Sequence, residues 1–182
     1  MDSKRNDTMK ATTIVAVKKD GKVAMAGDGQ VTFGEVIFKG NATKIRRMEG
    51  YNILAGFAGV AADAYALMDK FEYKLEEFGG NLKKASVELA KEWRTDKALR
   101  VLEAMLLVAD KHTILILSGN GDVIEPDGEV AAIGSGGNYA YAAGLALVKN
   151  TKMSAKEIAV ESMNIAGEMC IYTNVNIKVE VL

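Results

Sequence analysis

The chain begins polar and turns apolar at Thr12. From Thr13 to Lys18 the pattern is that of a β-strand, and Asp20-Gly21 gives a hairpin signal into a second apolar run over 22–26. That run ends at Gly27-Asp28-Gly29-Gln30. Positions 31–39 read as short strand material broken by Gly34. A basic strand over 44–48 turns at Glu49-Gly50, and 51–59 reads as a buried strand running into a glycine. The period then becomes helical. Val60, Ala64, Leu67, Met68, Phe71, Leu75 and Phe78 share one face, and Gly79-Gly80 stops the helix. Leu82, Ala85, Leu89, Ala90 and Trp93 mark a second helix. Apolar strands follow over 106–109 and 113–117, joined through Asp110-Lys111-His112, then a turn at 119–122 and a short strand over 130–133. Gly134-Ser135-Gly136-Gly137 opens a helix of small residues over 139–148. Ser154 and Glu157 form a capping box, and the helix it starts buries Ile158, Ile165 and Met169. A strand over 176–181 closes the pattern.

The order is strands, two helices, strands, two helices, strand. It predicts an α+β fold with mostly antiparallel sheets, two of them packed face to face and each covered by a helix layer. Sheets buried on both faces fit the near-continuous apolar runs 53–55 and 113–117. Residues 1–11 read as a disordered or removable leader, and 12–182 as one domain.

Thr12 carries the first candidate chemistry. As an internal residue it is an ordinary strand opener. If the chain is cut after Ala11, one residue holds both a hydroxyl and a free α-amine. A free α-amine has a pKa of about 7.7–8.0 and can accept a proton near neutral pH. That is the make-up of a hydrolase whose Thr is activated by its own amino terminus. Asp28 and Lys44 are either two solvated turn charges or a pair facing Thr12. In the second case the ammonium lowers the pKa of the α-amine and leaves it neutral more often. Gly56 follows an apolar strand, and its backbone N–H could face a developing oxyanion.

Composition narrows the chemistry. The 182 residues are 49% apolar and 26% charged, with a net charge of −1, which gives no electrostatic argument for nucleic acid or an anionic membrane. No apolar run approaches the roughly eighteen residues that span a bilayer. Residues 1–8 lack the apolar centre of a secretory signal, and a lone cysteine, Cys170, suits a reducing cytoplasm. A zinc site of several His and Cys ligands cannot be built from one His and one Cys. A Ser-His-Asp triad would need His112, and no Gly-x-Ser-x-Gly elbow is present. Cys170 lies among Ile165, Ala166, Met169 and Ile171, so it reads as a core residue rather than half of a dyad with His112. Neither glycine cluster completes a Gly-x-Gly-x-x-Gly motif.

Several blocks, in order and in one register, carry a resemblance. They are Thr-Thr-Ile-Val at 12–15, Ala-Gly-Asp-Gly-Gln at 26–30, Lys-Gly-Asn at 39–41, Lys-Ile-Arg-Arg at 44–47 and Ala-Gly-Phe-Ala-Gly at 55–59. Further along stand Trp-Arg-Thr-Asp at 93–96, Ser-Gly-Asn-Gly at 118–121, Ile-Gly-Ser-Gly-Gly at 133–137 and Ile-Ala-Gly-Glu-Met-Cys-Ile-Tyr-Thr-Asn at 165–174. Together they resemble the HslV (ClpQ) family, the proteasome-related threonine peptidases of the bacterial HslUV ATP-dependent protease.

The resemblance implies the four-layer αββα sandwich of N-terminal-nucleophile hydrolases. It implies Thr12 as nucleophile with its own α-amine as general base, Lys44 tuning that amine, Asp28 paired with Lys44, Gly56 as oxyanion donor and Ser135 beside the terminal amine. It further implies a sodium ion held by the carbonyls of Gly167, Cys170 and Thr173, with no organic cofactor. The family forms two stacked six-membered rings in the cytoplasm and acts on unfolded proteins delivered by the HslU-type AAA+ ATPase. Two other readings stay open: a small-molecule amidase of the same nucleophile type, and a catalytically silent ring subunit.

Overall fold

The computed structural model describes residues 9–10, 12–59, 61–97, 99, 102 and 104–182. Ala11 and Val60, to which the leader boundary and the first helix face extend, lie outside the described residues. Strand β2 (Thr13–Lys19) turns into β3 (Lys22–Gly27) through Asp20 and Gly21, which both take positive φ, 51° and 73°. Two positive-φ residues in a two-residue loop match the right-handed twist of the flanking strands. The pair lies at the centre of a four-stranded sheet with β11 (Val130–Gly134) outside β2 and β12 (Lys178–Val181) outside β3.

A second sheet runs β10 (Val123–Ile124), β9 (Ile114–Ser118), β8 (Ala104–Ala109), β7 (Ile53–Gly59), β6 (Ile45–Met48). Every paired neighbour in both sheets is antiparallel. A third, small sheet joins β4 (Val31–Phe33) and β5 (Val36–Lys39) to β1 (Met9–Lys10).

Strand alternation explains how the layers stack. In β2, Ile14 and Ala16 meet Leu54, Leu107 and Ile114 of the second sheet, while Val15 and Val17 meet the helices on the other face. Those helices are α3 (Gly137–Asn150) and α4 (Ala155–Met169), which contribute Ala140, Ile158 and Met163. On the far side, α1 (Ala61–Glu77) and α2 (Leu82–Thr95) press Leu67, Phe71, Leu75, Leu89 and Trp93 onto Ala55, Leu106 and Val108. The architecture is therefore αββα, as the order of elements predicts. Each fully buried Leu or Phe contributes about 1.5–3 kcal/mol.

Local signals act where they are read. Ser154 and Glu157 cap α4 reciprocally, and Asn81 accepts the Lys84 N–H at the start of α2. Two features exceed the sequence reading. Strand β10 extends the turn after β9, and Met9–Lys10 pair antiparallel with Phe33–Thr32 rather than trailing as loose chain. No described helix is long and apolar enough to cross a membrane.

Candidate active site

Thr12 immediately precedes β2 and is 2% exposed. Its carbonyl accepts the Ser135 N–H at 2.9 Å. That approach requires glycine at 134: the backbone there has φ +91°, and a Cβ would fall on the Thr12 carbonyl oxygen well inside contact distance. The strand-to-helix glycine cluster is thus a seat for the head of β2, with Gly136 N–H donating to Thr13 Oγ1 at 2.8 Å.

Asp28 follows β3, and the β2–β3 register brings it against Thr13. Asp28 N–H donates to the Thr13 carbonyl at 3.2 Å, and Thr13 N–H donates to Asp28 Oδ1 at 2.8 Å. Lys44 sits just ahead of β6, where its carbonyl accepts the Phe57 N–H. Its Nζ donates to Asp28 Oδ1 at 2.8 Å and to the Gln30 carbonyl at 2.6 Å. Of the two readings of these charges, the buried pair is the one found: Asp28 is 1% and Lys44 3% exposed. Burial pushes the Lys44 ammonium below the usual lysine range, while the charge and hydrogen bond of Asp28 hold against that shift.

Thr12 and Lys44 line one cavity of about 200 Å³, walled by Val31, Phe57, Gly59 and Tyr65. On the other side of Gly59 lies a larger depression of about 1060 Å³, lined in part by Ser135, Ile116, Ser118 and Tyr172. Ser135 therefore touches Thr12 through its backbone and faces this second depression. Gly56 is placed differently. It lies mid-strand in β7, opposite Ile45 and Leu107, and a Cβ there would meet Ile14, Met25 and Ile45 between the sheets. It does not line the Thr12 cavity, whereas Gly59, three residues on, lines both depressions.

The three residues of the expected cation segment gather at the C-terminal end of α4. Gly167 lies in its last turn, Cys170 caps it, and Thr173 N–H donates to the Cys170 carbonyl at 3.0 Å. Helix-end carbonyls lack intrahelical partners and sit at the negative end of the macrodipole, a setting whose oxygen donors and sign are compatible with a cation. Among the described residues no cluster of three His, Cys, Asp or Glu side chains could hold a metal. Cys170 is buried although Met169 and Ile171 beside it are exposed, so the buried face of α4 ends at Ala166 and does not reach Met169 as its sequence suggests; His112 sits exposed in the β8–β9 turn.

The contacts of four residues escape a sequence reading. Thr13 and Thr173 share a hydroxyl–hydroxyl bond of 2.8 Å across 160 positions. Gln30 is buried beside the ion pair, and Gly59 reaches the cavity. None carries a local signal: each matters only through contacts that the tertiary fold creates.

Comparison with known proteins bears on the family and the fold. A sequence model of the proteasome subunit family matches residues 8–182. The ATP-dependent protease subunit HslV of Treponema denticola is 61% identical over 166 residues, covering 91% of this chain and 93% of its own. HslV of Thermosipho melanesiensis is 60% identical, covering 95% and 98%. The crystal structure of the eukaryotic HslV from Trypanosoma brucei superposes with a TM-score of 0.89 at 45% identity, covering 93% of this chain and 98% of that one. The chain belongs to the proteasome subunit family and, within it, to the HslV protease subunits.

Proposed function

We propose that the chain is a threonine-type endopeptidase, the proteolytic subunit of an ATP-dependent protein-degradation complex, with Thr12 as nucleophile. The observation that carries this reading is the sealed Lys44–Asp28 pair opening onto the cavity that Thr12 lines.

While a residue precedes Thr12 its nitrogen is an amide without basicity, so cleavage after Ala11 comes first. The freed amine then takes the proton from Thr12 Oγ, and Oγ attacks the substrate carbonyl. The Lys44 ammonium keeps the amine neutral by raising the cost of a second positive charge. In the tetrahedral intermediate the oxyanion needs a backbone donor. We assign that role to Gly59 rather than Gly56, because Gly59 lines the cavity. Collapse expels the leaving amine, which takes the proton held by the Thr12 amine. Water, activated by the same amine, then hydrolyses the Thr12 ester.

The pairing of Met9–Lys10 with β4 supports an extended mode of substrate binding. Once the leader leaves, the β4 edge is free to pair with another strand. Gly167, Cys170 and Thr173 would hold sodium through their carbonyls, and the ion would fix the segment whose Thr173 hydroxyl bonds Thr13. The relatives' description as subunits of an ATP-dependent protease supports a partner that hydrolyses ATP; the family resemblance extends this to an HslU-type ATPase, two stacked hexameric rings, unfolded protein substrates and a cytoplasmic setting.

The test is Thr12→Val in the assembled particle with its ATPase and an unfolded protein substrate. Peptide-bond hydrolysis disappears if Thr12 is the nucleophile; retained turnover contradicts the assignment.

A further inference from the structure

Gln30 is 3% exposed and takes no part in the steps above. It belongs to the three-residue connection between β3 and β4, which has no strand ladder to hold it. Its backbone nevertheless touches both members of the ion pair, through the peptide groups on either side of its Cα. The N–H donates to Asp28 Oδ2 at 2.9 Å, and the carbonyl accepts from Lys44 Nζ at 2.6 Å. The side-chain amide binds elsewhere: Nε2 donates to Thr32 Oγ1 at 3.0 Å and to the Ile171 carbonyl at 2.9 Å.

We propose that Gln30 is a positioning residue whose side-chain amide anchors the peptide that aims Lys44, tying it to β4 and to the segment after α4. The inference rests on the reading of Thr12 as nucleophile. An ammonium has three N–H groups. Among the described residues Asp28 and Gln30 engage two, and Lys44 also lines the cavity shared with Thr12. Backbone contacts of this kind are only as rigid as the loop that makes them. Here one side chain bonded at two points takes the place of a ladder, with one acceptor in β4 and the other in the turn after α4.

The consequence is electrostatic. A Lys44 held near the α-amine lowers its pKa, and a Lys44 released toward other positions lets the amine return toward the free value of about 7.7–8.0. The titratable groups around the cavity are Lys44 itself, Lys39 from β5 and Tyr65 from α1, with Asp28 behind Lys44. Of these, Asp28 meets Gln30 only at the Gln30 backbone N–H, so a change at the Gln30 side-chain amide acts on the amine by way of Lys44 and its Asp28 partner.

The experiment uses the mature, assembled enzyme and a small fluorogenic peptide, reading kcat and KM across pH. Gln30→Met keeps length and volume and removes both donors. We expect the acid limb of kcat/KM to move up by about half a pH unit or more. Activity at pH 7 should fall roughly 3–10-fold, carried by kcat with KM within about twofold. Thr32→Val removes one anchor and should shift the limb in the same direction by less. If Gln30→Met fails to assemble, Thr32→Val carries the test. An acid limb at the wild-type position in the variants that assemble overturns the proposal, whatever the loss in rate. So does failure of both to assemble, which would make the contact a folding requirement. A wrong nucleophile assignment is distinguishable, because Thr12→Val would then stay active.

Discussion

The Lys44 ammonium lies 2.8 Å from Asp28 Oδ1, with both side chains almost fully removed from solvent. Burial drives the lysine toward losing its proton, and Asp28 opposes that loss. Asp28→Asn removes the opposing charge, so Lys44 deprotonates more easily and the amine of Thr12 loses its positive neighbour. Asn also offers one oxygen where two now serve Lys44, Thr13 and Gln30. Peptidase activity should fall about 10²-fold or more. Stability should drop by about 3–5 kcal/mol, read by denaturant unfolding beside the activity assay. Lys44→Ala should lose comparable activity and less stability, since Asp28 keeps its backbone donors.

Two adjacent threonines compete for the nucleophile on sequence grounds, and their surroundings separate them. The Thr13 hydroxyl is fully buried, accepts the Gly136 N–H and bonds the Thr173 hydroxyl. Thr13→Val should therefore cost about 1–3 kcal/mol through an unsatisfied Gly136 amide and Thr173 hydroxyl. It should retain measurable turnover, whereas Thr12→Val retains none. Paired thermal melts and peptide-hydrolysis assays on the two variants make the comparison.

Gly134→Ala tests the seat of β2. The added methyl meets the Thr12 carbonyl, and φ +91° is strained for any L side chain. The cost should reach about 3 kcal/mol or more. Because the methyl displaces Thr12 itself, the variant should also retain the leader, which intact-mass measurement reads directly.

Helices α1 and α2 are joined at Glu92, which receives Lys70 at 2.5 Å and Lys74 at 3.3 Å. The Lys70 hydrogen bond is foremost in holding the Glu92 carboxyl below the usual range. A carboxyl whose folded pKa is lowered stabilises the fold above its unfolded pKa, and that contribution fades as pH falls through the folded value. Glu92→Gln should cost about 0.2–1 kcal/mol at neutral pH. The difference from wild type should narrow on acidification below about pH 4, as measured by urea midpoints.

Much of the fold is legible in the sequence because its signals are local. The capping box at Ser154, the Asp20-Gly21 hairpin and the Gly79-Gly80 stop each act within a few residues of where they are written. The doubly apolar strands announce sheets buried on both faces. The site is legible only in part. Asp28 and Lys44 show as charges at strand ends, yet periodicity cannot say that they meet. The Thr13–Thr173 bond, the anchoring of Gln30 at Ile171 and the reach of Gly59 depend on chain segments brought together from far apart. Gly56 shows the converse: a glycine after an apolar strand invites an oxyanion role, but the sheet register turns it toward Ile14 and Met25. The pairing of Met9–Lys10 with β4 is equally non-local, since the leader's own sequence is polar.

The most direct measurement is the intact mass of the purified particle, taken together with its peptidase activity. The account predicts that active protein begins at Thr12 and that any fraction retaining residues before it is inactive. Full activity in protein whose Thr12 nitrogen is still an amide would contradict it.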